Sequence, residues 1–310
     1  MTHEPSTLAM RSQAGEHDGP HLLITAGVHG DECEPMEAVR QLYHRFLGAN
    51  QLQRGRVTLV PIVNEPAFRL RQRTAEDSLD LARTCPGRDD GSTTERIAAA
   101  LSRLIRSADF YIDLHTGGAQ FDISPLAGYV LHADRAVLDR QREMAQAFDL
   151  PIIWGTNPNL NGRSLSVARD AGVPAIYAEY GGGGGWHTGA IAAYTAGCLN
   201  VAGWLKIIDH PADESRVRYV VEDNREQSGH LQIQHPAPAD GVFEPKVSLG
   251  QVVRRGQPLG VVTDLWGERP LVVPAAEDGV VLFLRVPPAV AADDSLGGIL
   301  PISQPGRVVL

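Results

Sequence analysis

One apolar run in this chain ends in a turn that carries both an imidazole and a carboxylate. The run Leu22-Leu23-Ile24-Thr25-Ala26 leads into Gly27-Val28-His29-Gly30-Asp31-Glu32. In the first turn of a helix, positions i and i+3 share a face, so His29 and Glu32 can converge on one metal ion. Alone, this spacing is a weak signal, because the pattern is loosely defined. The rest of the chain must supply a second histidine and a general base.

A second apolar run stops at a histidine. Residues 109–114 are predicted to form a strand, and His115 follows directly. Ligands of open α/β sheets collect at the carboxyl ends of strands, so we expect His29 and His115 at the same edge. Asp113 would point to the same side as His115 and could orient its imidazole. A lone histidine is more often a hydrogen-bonded core residue, but two strand ends with matching chemistry favour a metal site.

A candidate general base lies in a third apolar run. Glu179 sits within residues 176–180, directly before the five glycines at 181–185. A lone carboxylate is costly to bury there without a role. Beside an activated water, it can act as general base and then protonate the leaving amine. The alternative is a solvent-facing glutamate on an edge strand. The glycines predict close approach of the backbone to a ligand, or a mobile loop.

Composition limits the classes of function. The chain has 310 residues, 43% of them hydrophobic, which is typical of a globular protein with one large domain or two unequal ones. The net charge of -9 argues against a nucleic-acid partner. No apolar run approaches the ~20 residues that span a membrane, and the polar residues 1–17 lack a signal-peptide core. Three cysteines cannot form a disulfide framework, so we expect a cytoplasmic protein.

Strand and helix patterns alternate over the first two thirds of the chain. The predicted strands cover residues 22–26, 56–62, 109–114, 128–132, 151–154 and 174–180, and the predicted helices cover residues 35–46, 93–106, 137–148 and 189–208. Thr94 is a candidate N-cap of the second helix. Residues 64–91 show little periodicity, and irregular segments of that length are usually functional. The alternation predicts an α/β fold with helices on both faces of the sheet.

The pattern changes near Asp209. Short apolar runs between glycines follow one another from residue 241 to residue 284, which predicts a small all-β domain. We therefore divide the chain into residues 1–208 and residues 209–310. The turn pattern of the second part resembles the barrel-sandwich modules of lipoyl and biotinyl carriers. The candidate hairpin tip at residues 263–269 contains no lysine, so an active carrier is excluded.

The first part of the chain contains a series of short motifs in this order: Gly27-Val28-His29-Gly30-Asp31-Glu32, Asn64-Glu65-Pro66-Ala67-Phe68, Arg73, Asp80-Leu81-Ala82-Arg83, Asp113-Leu114-His115-Thr116-Gly117, Gly172-Val173-Pro174 and Glu179-Tyr180-Gly181. Taken together, these motifs resemble the succinylglutamate desuccinylase/aspartoacylase family of zinc-dependent amide hydrolases, which is similar in fold to carboxypeptidase A. The resemblance covers about the first 205 residues. It implies a mixed, carboxypeptidase-like sheet in a deacylase domain at residues 1–208, followed by the barrel-sandwich-like domain.

The resemblance also implies roles for individual residues. One Zn²⁺ per chain would be held by His29, Glu32 and His115. Glu179 would be the catalytic base, and Arg73 would polarise the scissile carbonyl.

Arg83 would bind a substrate carboxylate, and Arg163 falls near the position of a further substrate-binding arginine of the family. One departure from the family stands out, because Ala82 replaces the asparagine of the usual Asp-Leu-Asn-Arg motif. A missing amide donor removes one hydrogen bond, worth on the order of 1 kcal/mol. The identity of the substrate is therefore open.

The sequence thus predicts a zinc hydrolase that removes an N-acyl group from a small amino acid or diamine derivative by attack of water on a linear amide. Its expected partner is a small N-acylated molecule, without nucleic acid or membrane, and a homo-oligomer is one open outcome. A metallocarboxypeptidase of short peptides is an alternative, although a β domain over the site would obstruct its groove. The other alternative is a zinc-containing binding protein without catalysis.

Overall fold

The computed structural model describes residues 8–46, 52–211, 214–226, 228–231 and 234–302. The helices within these residues are α1 (Cys33–Phe46), α2 (Glu65–Leu70), α3 (Thr93–Arg106), α4 (Arg135–Phe148), α5 (Ser164–Ala171) and α6 (Thr188–Trp204). The strands are β1 (Arg11–Ala14), β2 (His17–Ala26), β3 (Arg54–Val60), β4 (Phe110–His115), β5 (Phe121–Val130), β6 (Ile152–Thr156), β7 (Ala175–Gly182), β8 (Tyr219–Glu222), β9 (Gly241–Pro245), β10 (Val252–Val253), β11 (Pro258–Thr263), β12 (Leu271–Pro274), β13 (Gly279–Arg285), β14 (Ala289–Val290) and β15 (Gly297–Pro301).

The main sheet is mixed, as predicted. Its strands follow the spatial order β1-β3-β2-β4-β7-β5, and β6 and β8 continue beyond β5. Strands β3, β2, β4 and β7 are mutually parallel, which aligns their carboxyl ends. Strand β5 runs antiparallel to β7, and β6 and β8 run parallel to β5. The direction of the strands in the sheet therefore reverses between β7 and β5.

Helices cover both faces of this sheet, as predicted. Helices α1, α4 and α6 pack on one face, against a buried row that includes Ile112 and Ile176. Helices α3 and α5 pack on the other face, where Leu23, Tyr111 and Ala175 are buried. Alternate residues of β4 and β7 thus enter two different cores, which explains why these strands are almost continuously apolar.

The C-terminal residues form a small β structure in two layers. One layer is the four-stranded sheet β12-β11-β9-β14, and the other contains β10, β13 and β15. Side chains from both layers, including Phe243 and Val281, share one buried core. The predicted second β domain is confirmed in this form.

The C-terminal β structure is also hydrogen-bonded to the main sheet. Strand β13 pairs with the start of β5, where Phe283 lies opposite Ile123. The rings of Phe121 and Phe283 meet edge to face with their centroids 5.1 Å apart. Strand β8, which follows residue 208, extends the main sheet through β6. The division of the chain at residues 208 and 209 stays a prediction.

Short elements and element ends differ from the prediction. The structure adds β1, α2 and α5, which are too short to show a clear period. Strand β5 begins at Phe121 rather than at residue 128 because its first residues pair with β13. The glycine run does not lie wholly outside the strands, since Gly181 and Gly182 belong to β7.

Thr94 is not the N-cap of α3, so that prediction is wrong. The side chain of Ser92 accepts a hydrogen bond from the Glu95 N–H, and the Glu95 carboxylate accepts one from the Ser92 N–H. This reciprocal pair is a capping box. Thr94 instead donates its hydroxyl to Asp77 at 2.7 Å, which ties the irregular segment before α3 to the helix.

No helix in the part of the chain that the structure describes is both long and apolar enough to cross a lipid bilayer.

Removing the capping hydroxyl should destabilise the protein. We expect Ser92→Ala to lower the free energy of unfolding by about 1 kcal/mol, because the Glu95 N–H loses its acceptor. Urea denaturation measures this change. Thr93→Ala, which alters the adjacent position but leaves the capping box intact, is the matched control. Equal stability of Ser92→Ala and the unchanged protein would contradict the cap assignment.

Candidate functional site

His29, Glu32 and His115 lie together at the carboxyl edge of the main sheet. The Nδ1 atom of His29 is 2.7 Å from Oε1 of Glu32, and Nδ1 of His115 is 3.0 Å from Oε2 of the same carboxylate. The centroids of the two imidazoles are 5.3 Å apart. One possible ligand atom from each of the three residues lies within 4.8 Å of those from the other two. The structure therefore brings together the three residues that the sequence analysis selected.

Local backbone geometry explains this convergence. Strands β2 and β4 are parallel neighbours with Ala26 opposite Leu114, so the chain leaves both strands at the same level. Gly27 has a φ of +66°, a conformation that glycine adopts readily, and it turns the chain towards α1. A Cβ atom at Gly30 would lie 2.1 Å from the carbonyl carbon of Ala67, so the turn tolerates only a glycine there.

Each imidazole also contacts a second carboxylate on its outer side. Nε2 of His29 is 3.1 Å from Oδ1 of Asp80, and Nε2 of His115 is 3.2 Å from Oδ2 of Asp113. The buried Asp113 also accepts hydrogen bonds from Thr25 and Ser164. Outer carboxylates of this kind fix the tautomer and the orientation of metal-binding histidines.

The sequence analysis placed Asp113 near His115 correctly but gave Asp80 no role. Asp80 caps the short 3₁₀ turn Leu81–Arg83 by accepting from the Ala82 N–H at 2.9 Å. An aspartate before such a turn is an available signal for a cap. Its contact with His29 depends on the fold of residues 64–91, which show no period.

The charges of the cluster suit a divalent cation. Burial raises the pKa of Glu32, but the charges of His29 and His115 outweigh it and hold that pKa well below its usual range. When both imidazoles are neutral, as they must be to bind a metal, three ionised carboxylates (Glu32, Asp80 and Asp113) and the guanidinium of Arg73 leave a net charge of −2. The nitrogen and carboxylate donors on the inner side are those that zinc prefers, so the residues fit a bound Zn²⁺.

Glu179 stands beside this cluster. It lies opposite His115 on the neighbouring strand, so the two side chains share one face of the sheet. Its Oε2 atom is buried and has no hydrogen-bond partner among the residues that the structure describes. Burial raises the pKa of Glu179 to about 8, although His115 opposes the shift. A cation held by the cluster would lower this pKa, because it would favour the carboxylate.

Arg73 reaches the cluster from the irregular segment before α3. Its Nη2 atom donates to Oδ2 of Asp80 at 3.1 Å, and its Nη1 atom is 3.8 Å from Oε1 of Glu32. Asp80 therefore contacts both this guanidinium and the imidazole of His29. The contact holds the positive charge of Arg73 next to the cluster.

A cavity of about 90 Å³ connects the cluster to two further arginines, Arg83 and Arg163. Arg163 donates to the carbonyl oxygen of Gly229 at 3.0 Å. Both arginines line this cavity, and burial together with the charge of Arg83 lowers the pKa of Arg163 to about 10. Two adjacent guanidinium groups in a small cavity form a site for an anion.

The cavity also has an uncharged wall that the sequence analysis did not identify. Its members are Leu126, Val130, Trp154, Leu165, Tyr177 and Leu231. Strand alternation in β7 offered a signal for one of them, because Tyr177 precedes Glu179 by two residues and must share its face. Trp154 had no such signal, since its place depends on the pairing of β5 with β6.

Comparison with known sequences identifies relatives over most of the chain. The sequence model of the succinylglutamate desuccinylase/aspartoacylase catalytic domain matches residues 18–204. The N-alpha-acetyl-L-2,4-diaminobutyric acid deacetylase of Halomonas elongata is 33% identical over 299 residues, which cover 93% of this chain and 84% of that protein.

Solved structures show the same relationship. The product-bound ectoine utilization protein EutE (DoeB) from Ruegeria pomeroyi has a TM-score of 0.84 and 27% identity, with 94% of this chain and 87% of that chain covered. A succinylglutamate desuccinylase/aspartoacylase from Rhodobacter sphaeroides has a TM-score of 0.81 and 27% identity, with 91% of this chain and 86% of that chain covered. With the sequence match over residues 18–204, these similarities show that the chain belongs to the succinylglutamate desuccinylase/aspartoacylase family of amide hydrolases.

Proposed function

We propose that this protein is a zinc-dependent hydrolase that removes the N-acyl group of a small amino acid or diamine derivative by attack of water on a linear amide. The observation that carries the proposal is the convergence of the His29–Glu32–His115 cluster, Glu179 and Arg73 on one cavity. The relative from Halomonas elongata supports this substrate class, since it deacetylates an acylated diamino acid.

Under this proposal, His29, Glu32 and His115 hold one Zn²⁺. The outer contacts to Asp80 and Asp113 support this assignment, because they leave the Nδ1 atoms of both histidines facing Glu32. When bound, the metal would supply Lewis-acid activation of water and of the scissile carbonyl.

Glu179 is the residue that moves the proton. Its carboxylate lies on the same face as His115, and one of its oxygens has no partner within the described part of the chain, so it can accept a proton from the attacking water. The same carboxyl group then delivers the proton to the leaving nitrogen as the amide C–N bond breaks. Burial keeps bulk water from competing for this proton.

Arg73 stabilises the charge that develops on the acyl oxygen. Its guanidinium is held in place by Asp80 and needs little reorganisation during the reaction. A preorganised donor of this kind typically contributes about 3 kcal/mol to transition-state stabilisation.

Arg83 and Arg163 bind the carboxylate of the substrate, and the small cavity favours a small molecule over an extended peptide. Ala82 also lines the cavity and offers no side-chain donor. The cytoplasmic location and a homo-oligomeric state stay predictions.

Removal of the metal should abolish activity. We expect chelation with 1,10-phenanthroline to stop the deacetylation of N-alpha-acetyl-L-2,4-diaminobutyrate, and one equivalent of Zn²⁺ per chain to restore it. Metal analysis and rate measurements on the same samples check this. His115→Ala should lose the metal, whereas His132→Ala, which changes a histidine outside the cluster, should keep it. Full zinc content in His115→Ala would refute the ligand assignment.

The replacement Glu179→Gln should separate binding from chemistry. It preserves the shape of the side chain but removes the base, so kcat should fall by a factor of ~10²–10⁴ while zinc stays near one per chain. The measurements are steady-state kinetics and metal analysis. Glu143→Gln, at an exposed position on α4, is the matched control and should change neither value. Loss of zinc in Glu179→Gln would make the residue a ligand instead of a base.

Arg83→Ala should act mainly through KM. A carboxylate contact that is equal in the ground state and the transition state contributes to binding more than to turnover. We expect KM for N-alpha-acetyl-L-2,4-diaminobutyrate to rise by at least about 10-fold, with kcat within about three-fold of the original value. Arg135→Ala, which removes an exposed arginine far from the cavity, is the control. A change in kcat alone would contradict this role.

A further inference from the structure

Tyr177 carries a phenol hydroxyl that has no hydrogen-bond partner among the residues that the structure describes. Tyr177 lines the same cavity as Arg83, Arg163 and Glu179. Its hydroxyl makes no hydrogen bond to any residue within the described ranges, although neighbouring tyrosines on the sheet do, such as Tyr111 with Thr25. Tyr177 is only partly buried, and a phenol hydroxyl that pairs with no protein group can donate to water or to a ligand instead. This donor is therefore available to a ligand.

The backbone of the adjacent strand fixes the position of this ring. Tyr177 lies opposite Gly128 on β5, so its side chain stands next to a residue without a Cβ atom. A Cβ atom at Gly128 would lie 2.2 Å from Cζ of Tyr177 and 2.4 Å from its hydroxyl oxygen. The ring consequently lies across β5, along the floor of the cavity. Any side chain at position 128 would displace it.

The charges around the hydroxyl favour the neutral phenol as a hydrogen-bond donor. Burial raises the pKa of Tyr177 well above its usual value, and the charge of Glu179 adds to this effect, while Arg163 opposes it. The hydroxyl is not paired with Glu179, whose Oε2 atom has no partner within the described residues. Arg163, one of the two arginines of the anion site, lines the same cavity as Tyr177.

We propose that Tyr177 is a third substrate-binding residue, whose hydroxyl donates a hydrogen bond to the carboxylate bound by Arg83 and Arg163. Gly128 is then a positioning residue, because it leaves the space in which the ring lies. The inference rests on the proposed function, since the carboxylate is that of the acylated amino acid. A carboxylate can accept all of these donors at once, whereas the amino group of a carboxamide cannot. The three residues together select substrates with a free carboxylate.

Tyr177→Phe tests the inference, because it removes the hydroxyl and keeps the ring. We expect KM for N-alpha-acetyl-L-2,4-diaminobutyrate to rise by about 10-fold, with kcat within about two-fold. The ratio of kcat/KM for this substrate to kcat/KM for its carboxamide should fall by a similar factor. Tyr180→Phe makes the same change on the opposite face of β7, where Tyr180 packs on the other core, and should leave KM unaltered.

Gly128→Ala gives an independent test of the positioning role. It should raise KM through displacement of the Tyr177 ring. Addition of Tyr177→Phe to Gly128→Ala should then raise KM by much less than 10-fold, since the two changes remove one interaction. If Tyr177→Phe raises KM by the same factor in Gly128→Ala as in the unchanged protein, the positioning role of Gly128 is refuted. Zinc content and thermal unfolding, measured on every variant, confirm that the compared proteins are folded.

A binding measurement without turnover distinguishes a failure of the proposed function from a failure of the Tyr177 inference. Calorimetry on Glu179→Gln gives the Kd of N-alpha-acetyl-L-2,4-diaminobutyrate and of further N-acetyl amino acids independently of catalysis. If the unchanged protein neither binds nor hydrolyses any of them, the proposed function fails and this inference with it. If they bind but Tyr177→Phe leaves both Kd and KM unchanged, the inference alone is overturned. A loss of kcat at constant KM would also overturn it, because the hydroxyl would then act on the reacting groups.

Discussion

The buried carboxylate of Glu32 contacts both imidazoles of the cluster, His29 through one oxygen and His115 through the other. An isolated carboxylate at this depth would be strongly destabilising, so it requires nearby positive charge. Protonated imidazoles or a divalent cation can supply that charge. The arrangement of β2 and β4, the turn at Gly27 and the outer aspartates all serve to hold these three side chains around one point.

The ends of β2 and β4 were predictable from the sequence, and they carry the histidines of the candidate metal site. His29 and His115 follow long apolar runs, and the carboxyl ends of parallel strands meet at one edge of a sheet. Residue patterns therefore sufficed to place them together. Glu179 was identified for a related reason, since a lone carboxylate in a buried strand needs a partner. The alternation of strands and helices likewise predicted an α/β sheet with helices on both faces, and the family resemblance implied that the sheet is mixed.

Contacts that depend on irregular segments or on strand register were not predictable. Asp80 reaches His29 only because residues 64–91 fold back over the cluster, and no period in the sequence describes that path. Tyr177 and Trp154 face one cavity because both lie opposite Gly128, one on each side of β5. Local patterns do not encode which strands become neighbours, and the short helix α5 is stabilised by tertiary packing more than by its own propensity.

The reversal of direction at β5 links the cavity to the C-terminal β structure. Strands β2, β4 and β7 bring the candidate site residues to one edge, whereas β5 runs back and supplies part of the uncharged wall, Leu126 and Val130. The outer edge of β5 is then shared, by β13 near its start and by β6 near its end. Leu126 and Trp154 consequently belong to one apolar cluster with Phe283 of β13. Packing in the C-terminal β structure thereby stabilises the uncharged wall of the cavity, although none of the proposed catalytic residues comes from that part of the chain.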